Sequence, residues 1–71
     1  MIEQAIRIRV NGEAREVPAG LSASGLLEHL GLHPRMVVVE RNGEILRAES
    51  LTGTGIEADD SLELVHFVGG G

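Results

Sequence analysis

The first hydrophobic pattern in the chain is a strict alternation of apolar and charged residues over residues 6–10. A period of two residues is typical of a strand with one buried face. The Asn11–Gly12 pair that follows can adopt positive φ at both positions of a two-residue turn, so residues 13–17 are predicted to return as a second strand. This turn places Ile8 opposite Arg15 on the apolar face, and the pattern alone leaves the register open.

A short helix is predicted after this hairpin. Ser22 can act as its N-cap, and Leu26, Leu27 and Leu30 fall on one face at helical spacing. Gly31 is expected at the C′ position that ends the helix. A helix of about two and a half turns does not persist alone. It is therefore expected to pack on the sheet.

The second half of the chain is predicted to add further strands. Residues 36–40 are largely β-branched and do not alternate, which is typical of a central strand covered more completely than an edge strand. The remaining elements are, in order, a second Asn-Gly turn at 42–43, a short strand at 45–46, a loop at 51–56, a polar turn at 59–61 and a final strand at 62–68.

The order of these elements predicts an α+β fold. A helix that follows two antiparallel strands packs across their sheet, and the last strand is most economically placed beside the first. The result is a β-grasp, or ubiquitin-like, domain over residues 1–68. It has a mixed sheet of four or five strands with one main helix across it, and residues 69–71 are expected to form a flexible glycine tail.

Composition excludes several classes of function. The chain of 71 residues carries a net charge of -5, which argues against a nucleic-acid partner, and it has no apolar stretch long enough to span a membrane. Cysteine and lysine are absent, which removes thiol and Schiff-base chemistry from the side chains. We expect a cytoplasmic partner of other proteins, because a domain this small has little room for a buried active site.

Side chains that could carry chemistry have ordinary structural explanations. His29 and His33 are separated by the expected helix end and lack the spacing of a zinc-binding helix, so no metal site is predicted. His66 is expected to share the inward face of its strand. Asp59 and Asp60 are expected to cap or solubilise a turn.

The feature left to carry a function is the run of Gly69, Gly70 and Gly71. Three extended residues without Cβ atoms reach about 10 Å and can thread a narrow channel of another protein. The carboxylate of Gly71 would then be the reactive group, once an ATP-using partner has adenylated it. A frayed terminus or a cloning remnant is the alternative that the sequence leaves open.

A surface for a partner is predicted beside the tail. If Leu62 and Leu64 face inward, Val65 and Phe67 face outward just before the glycines, and Val38 can extend this apolar patch on a neighbouring strand. The opposite parity would place these residues in the core.

With these features, the chain resembles the ThiS family, the small sulfur carriers of thiamine biosynthesis. The similarity covers residues 6–71. It rests on the segments VNGE at 10–13, LLEHL at 26–30, VVVERNG at 37–43 and DDSLELVHFV at 59–68, which leads into the glycines.

The resemblance implies a β-grasp carrier that binds no cofactor itself. Its Gly71 would be acyl-adenylated by a ThiF-like adenylyltransferase with ATP and magnesium. A cysteine desulfurase or a rhodanese-type persulfide would supply the sulfur of a thiocarboxylate, and a ThiG-like thiazole synthase would accept it. Gly70 matches the second member of the family's diglycine, and Gly69 lengthens the arm by one residue.

Two other functions stay open from the sequence. The same thiocarboxylate could serve molybdopterin synthesis, as in MoaD-like proteins, or cysteine synthesis. A ubiquitin-like binding module without chemistry would dock through Val65 and Phe67 and would not need the glycines. Removing Gly70 and Gly71 separates these classes, because only a sulfur carrier would lose its transfer activity.

Overall fold

A computed structural model describes residues 4–67 of the chain. The residues predicted to react with a partner, Gly69, Gly70 and Gly71, lie outside the described residues, as does Val68. The described elements are, in chain order, β1 (Ala5–Val10), β2 (Glu13–Pro18), α1 (Ala23–His29), a 3₁₀ helix (Pro34–Met36), β3 (Val37–Arg41), β4 (Glu44–Leu46), a second 3₁₀ helix (Ala48–Ser50) and β5 (Ser61–His66).

The five described strands form one mixed sheet in the order β2-β1-β5-β3-β4. β5 runs parallel to β1, and the other neighbours are antiparallel. The last strand therefore lies beside the first, as predicted, and it occupies the middle of the sheet. With α1 packed on one face, this arrangement confirms the predicted β-grasp fold.

Both Asn-Gly pairs form the two-residue turns that the sequence predicts. Asn11 and Gly12 have φ values of 51° and 84°, and the corresponding pair at 42–43 has 52° and 90°, as in type I′ turns. The first turn places Ile8 opposite Arg15. Arg15 is exposed there because β2 is an edge strand.

The two turn asparagines also tie their hairpins to β5, which the sequence pattern did not indicate. Asn11 Oδ1 accepts from the backbone N–H of Leu64 at 2.7 Å, and its Nδ2 donates to the carbonyl of Leu64 at 3.3 Å. Asn42 Oδ1 accepts from the N–H of Ser61 at 2.9 Å. Each side chain thus extends the ladder of hydrogen bonds beyond the end of its own strand.

Helix α1 begins and ends as the sequence predicts. Ser22 Oγ accepts from the backbone N–H of Gly25 at 3.0 Å and caps the first turn. At the other end Gly31 has a φ of 77°, and the N–H of Leu32 donates to the carbonyl of Leu27 at 2.8 Å, as in a Schellman motif. The helix residues buried against the sheet are Ala23, Leu26 and Leu27.

The core lies between α1 and the inward face of the sheet. Leu51 and Ile56 belong to it, although their segment was predicted only as a loop. Ile56 donates its N–H to the carbonyl of Leu21 at 2.9 Å, which fixes this irregular segment against the start of α1. The buried apolar residues are Ile8, Val10, Val17, Ala23, Leu26, Leu27, Val37, Val39, Leu51, Ile56, Leu62 and Leu64.

Two details of the sequence prediction were wrong. β5 ends at His66, which is exposed, because β1 pairs only with the first two residues of β5 and leaves its second half bordered by β3 alone. Met36 belongs to a 3₁₀ helix instead of β3. The prediction for β3 is confirmed, since it is internal and more completely buried than the edge strands β2 and β4, although Val38 is only half-buried.

Candidate functional site

The predicted apolar patch is present on the outer face of the sheet, the face opposite α1. Val65 and Phe67 are 60% and 53% exposed, and Val38 lies directly opposite Val65 on β3. The N–H of Phe67 donates to the carbonyl of Met36 at 2.9 Å, which holds the chain beside the start of β3. The predicted parity of β5 is therefore confirmed, and the role of the patch in partner binding stays a prediction.

Two further exposed apolar side chains border this patch, and the sequence analysis missed both. Ile45 on β4 is 68% exposed and lies opposite Glu40 of β3, while Met36 is 42% exposed. Alternation within β4 could have predicted that Ile45 is exposed. The adjacent residue Leu46 packs on the core, and successive side chains of a strand point to opposite faces. We call the outer-face residues Val38, Ile45, Val65 and Phe67 the apolar patch.

A groove of about 360 Å³ opens at the edge of the apolar patch. It exists because β4 pairs only with residues 39–41, so the edge of β3 at Val37 is left without a strand neighbour there. Its lining is mainly apolar, and Arg35 contributes a charge among the described lining residues. Among its apolar lining residues are Pro34, Val37, Ile45, Leu46, Leu51 and Phe67.

The other end of β5 is held by a buried carboxylate. Asp60 is 5% exposed, and its Oδ2 accepts from Arg41 Nε at 2.8 Å and from the N–H of Glu57 at 2.9 Å. Its Oδ1 accepts from Asn42 Nδ2 at 3.0 Å. The predicted turn cap is confirmed, whereas the alternative that the residue solubilises the turn is wrong for Asp60, since its carboxylate points inward.

The electrostatics of this carboxylate favour its ionised form. Burial raises the pKa of Asp60, but hydrogen bonds from the Glu57 backbone, Arg41 and Asn42 outweigh it and hold the pKa below its ordinary value. The hydrogen bond to Asp60 in turn raises the pKa of Arg41. A carboxylate held charged and bonded at both oxygens has a structural role and is not poised for proton transfer.

The histidines have separate positions in the described residues. His33 caps the first 3₁₀ helix, where its Nδ1 accepts from the N–H of Arg35 at 3.2 Å. His29, His33 and His66 are all exposed. Across residues 4–67, no three metal-ligating side chains come together. The only α-helix within the same residues, at seven residues, is too short to cross a membrane.

Comparison with known proteins identifies the fold and the family. A model of the ThiS family matches residues 8–71. This chain belongs to the ThiS family. A crystal structure of the thiamine biosynthesis protein ThiS from Geobacter metallireducens matches with a TM-score of 0.78 at 34% sequence identity, covering 93% of this chain and 100% of that one. The resemblance seen in the sequence is thereby confirmed.

Two further proteins have sequences similar to this chain. The sulfur carrier protein ThiS of Bacillus subtilis is 44% identical over 46 residues, which is 65% of this chain and 70% of that protein. A thiazole synthase of Magnetococcus marinus is 39% identical over 66 residues, which is 93% of this chain but 20% of that protein. The chain therefore spans about one fifth of the thiazole synthases that it matches.

Proposed function

We propose that this chain is a sulfur carrier of thiamine biosynthesis, and that the carboxylate of Gly71 is its reactive group. The observation that carries the proposal is the match to the ThiS family, which extends to Gly71 and so includes the glycine run. The name of the Bacillus subtilis relative, a sulfur carrier protein, supports it.

The proposed chemistry converts the Gly71 carboxylate to a thiocarboxylate in three steps. The Gly71 carboxylate attacks the α-phosphate of ATP in a ThiF-like adenylyltransferase, and pyrophosphate leaves. The outer sulfur of a persulfide, supplied by a cysteine desulfurase or a rhodanese-type protein, then attacks the acyl carbon, and AMP leaves. A thiol cleaves the resulting sulfur–sulfur bond, and the thiocarboxylate remains on Gly71.

The chain contributes a narrow arm and a body that a partner can hold. Gly70 and Gly69 have no Cβ atoms, so they fit a channel that would exclude larger residues. The chain has no cysteine or lysine that could capture the activated acyl group. It acts as a protein co-substrate in this proposal, and the catalytic groups belong to its partners.

The proposed docking site for the adenylyltransferase is the apolar patch together with the glycine arm. The patch lies at the end of β5 that leads towards the arm, and its exposed side chains would be covered by the partner. Phe67, Val65 and Val38 are the residues assigned to this contact, with Gly69 at the base of the arm.

A thiazole synthase is the proposed acceptor of the sulfur. The support is that thiazole synthases of two bacteria contain a segment 39% identical to this chain over 66 residues.

The test is the intact mass of the protein after incubation with a ThiF-like enzyme, ATP, magnesium and a persulfide donor. We expect one oxygen to be replaced by sulfur in the full chain. The matched control lacks Gly70 and Gly71, so it keeps a terminal carboxylate on an arm that is two residues shorter. It should remain folded and unmodified.

The positive control is the carrier that naturally belongs to the same adenylyltransferase. If that carrier is modified and the mass of this protein does not change, the proposal is wrong. Equal modification of the shortened control would contradict the assignment of Gly71 while leaving the carrier activity in place. Transfer of the labelled sulfur to a thiazole product, measured with a thiazole synthase added, tests the acceptor separately.

A further inference from the structure

The outer face of the sheet brings two like charges directly together. Glu40 on β3 and Glu63 on β5 are cross-strand partners, and both side chains belong to the face opposite α1. Glu63 is exposed and Glu40 is half-buried. Like charges directly opposite one another destabilise an antiparallel pair, so this arrangement has a cost in the free protein.

Neither glutamate is neutralised within the described residues. The ion pairs found in residues 4–67 are Arg41 with Asp60 and Arg47 with Glu49. Arg9 is on the same face of the neighbouring strand β1, but its Nη1 donates to the carbonyl of Gly12 at 3.5 Å. Arg7 lies on this face of β1 as well, and neither arginine forms an ion pair with Glu40 or Glu63, so the two carboxylates have no cationic partner among the described residues.

Exposed apolar side chains flank the two carboxylates. Ile45 lies opposite Glu40 on the side away from Glu63. The next rung of the β3–β5 ladder on the same face is the pair Val38 and Val65. A partner that covered these apolar groups would exclude water around the carboxylates and strengthen their attraction to a cation.

We propose that this face docks the adenylating partner through an arginine or lysine side chain placed between Glu40 and Glu63, with apolar partner groups over Val65 and Ile45. The inference rests on the proposed function, which requires such a partner. Charge complementarity selects the occupant, because a cation relieves the repulsion between the two glutamates only in the complex. The net charge of -5 favours the same kind of partner at longer range.

The proposal predicts that stability and partner affinity change in different directions. Glu63→Gln and Glu40→Gln each remove the repulsion between the two side chains, so the urea midpoint should stay equal or rise. Each should raise the KM for the carrier in adenylation by about five- to tenfold at low salt, with kcat unchanged. Glu63→Lys should raise the urea midpoint further, because it faces Glu40, and should raise KM further than Glu63→Gln.

The matched control is Glu13→Gln, which makes the same change in net charge at an exposed position on the edge strand β2. Its KM should stay within about twofold of the wild type, since its charge is remote from the patch. Added salt should narrow the difference in KM between the wild type and the Glu63 variants, and should also remove any small difference in KM for Glu13→Gln, because salt screens exposed charges.

The outcomes separate this inference from the proposed function. If the wild-type carrier is adenylated and the Glu40 and Glu63 variants have the same KM as Glu13→Gln, the cationic contact is wrong and the carrier function stands. If the wild type is not adenylated by an enzyme that activates its own carrier, the proposed function is wrong. The proposed contact with an adenylating partner is then wrong as well.

Discussion

The two ends of β5 are built in different ways. Its first residues lie between β1 and β3 and follow the buried carboxylate of Asp60, whereas its last residues have β3 alone as a neighbouring strand and expose Val65 and Phe67. The same strand thus joins a firmly hydrogen-bonded part of the described chain to an exposed apolar surface. The difference separates a firmly held end of β5 from an end that exposes apolar side chains.

Backbone hydrogen bonds show the same contrast. At the start of β5, Arg9 donates to the carbonyl of Asp60 at 2.9 Å and Asn42 donates to that of Ser61 at 2.8 Å, so β1 and the β3–β4 turn both hold it. At the end, the bond from Phe67 to Met36 joins the chain to one side only. Local unfolding should therefore begin at the end of β5 and not at its start.

The largest expected effect is the loss of the Asp60 carboxylate. Asp60→Asn keeps the size of the side chain but replaces one acceptor oxygen with an NH₂ group, so at least one of the three part-buried hydrogen bonds is replaced by two donors that face each other. We expect a loss of about 2–3 kcal/mol in the free energy of unfolding, measured by urea denaturation.

The control for this variant is Asp59→Asn. Asp59 is exposed and has a φ of 70°, a conformation that asparagine also adopts readily. Its effect should stay within about 0.5 kcal/mol. Equal urea midpoints for the two variants would show that the start of β5 does not depend on the buried carboxylate.

The asparagine side chains should contribute less than Asp60. Asn42→Gly keeps a residue suited to positive φ but removes the bonds to Asp60 and Ser61, and we expect a loss of about 1–2 kcal/mol. Asn11→Gly removes both bonds to Leu64, which lies farther along β5, and should cost about 1 kcal/mol. Urea denaturation of both variants checks this order, and a larger loss at Asn11 would contradict the contrast between the ends of β5.

The pH dependence of stability should reflect Asp60. Its pKa is below the ordinary value in the folded protein, so its contribution is fully present above the unfolded-state value of about 3.9 and is lost as the pH falls towards the folded pKa. We expect the stability difference between wild type and Asp60→Asn to be constant from about pH 7 to pH 5 and to shrink below about pH 4. Urea midpoints of both proteins across this range provide the test, because the exposed carboxylates common to both cancel. A difference that stayed constant to about pH 3 would contradict the assigned shift.

Much of the fold follows from local sequence signals. The alternation in β1, the two Asn-Gly turns and the Ser22 and Gly31 caps are each determined by neighbours in the chain, and each was predicted correctly. The apolar patch also follows from local parity, since alternation from Leu62 and Leu64 places the exposed side chains of β5.

Local sequence patterns could not predict which side chains meet when they are far apart in the chain. The carboxylate of Asp60 meets Arg41 and Asn42 across 19 and 18 positions of sequence, respectively. Glu40 meets Glu63 only through the register of β3 with β5. No periodicity distinguishes Asp60 from the exposed Asp59. Both the buried network and the paired glutamates therefore required the assembled sheet.

The smallest expected effects on stability lie at the exposed end of β5. Phe67→Ser and Val65→Ser remove side chains that are more than half exposed, so the free protein should lose no more than about 0.5 kcal/mol in each case, with Val65 giving the larger loss through its pair with Val38. In a complex the same side chains would be covered, and their removal should raise the KM for the carrier in adenylation. Urea denaturation and adenylation kinetics on the same samples separate the two quantities. If either variant lost more than about 1.5 kcal/mol in the free energy of unfolding, its side chain would belong to the core. The contrast between the two ends of β5 would then be wrong, since a side chain buried in the free protein is not available to a partner.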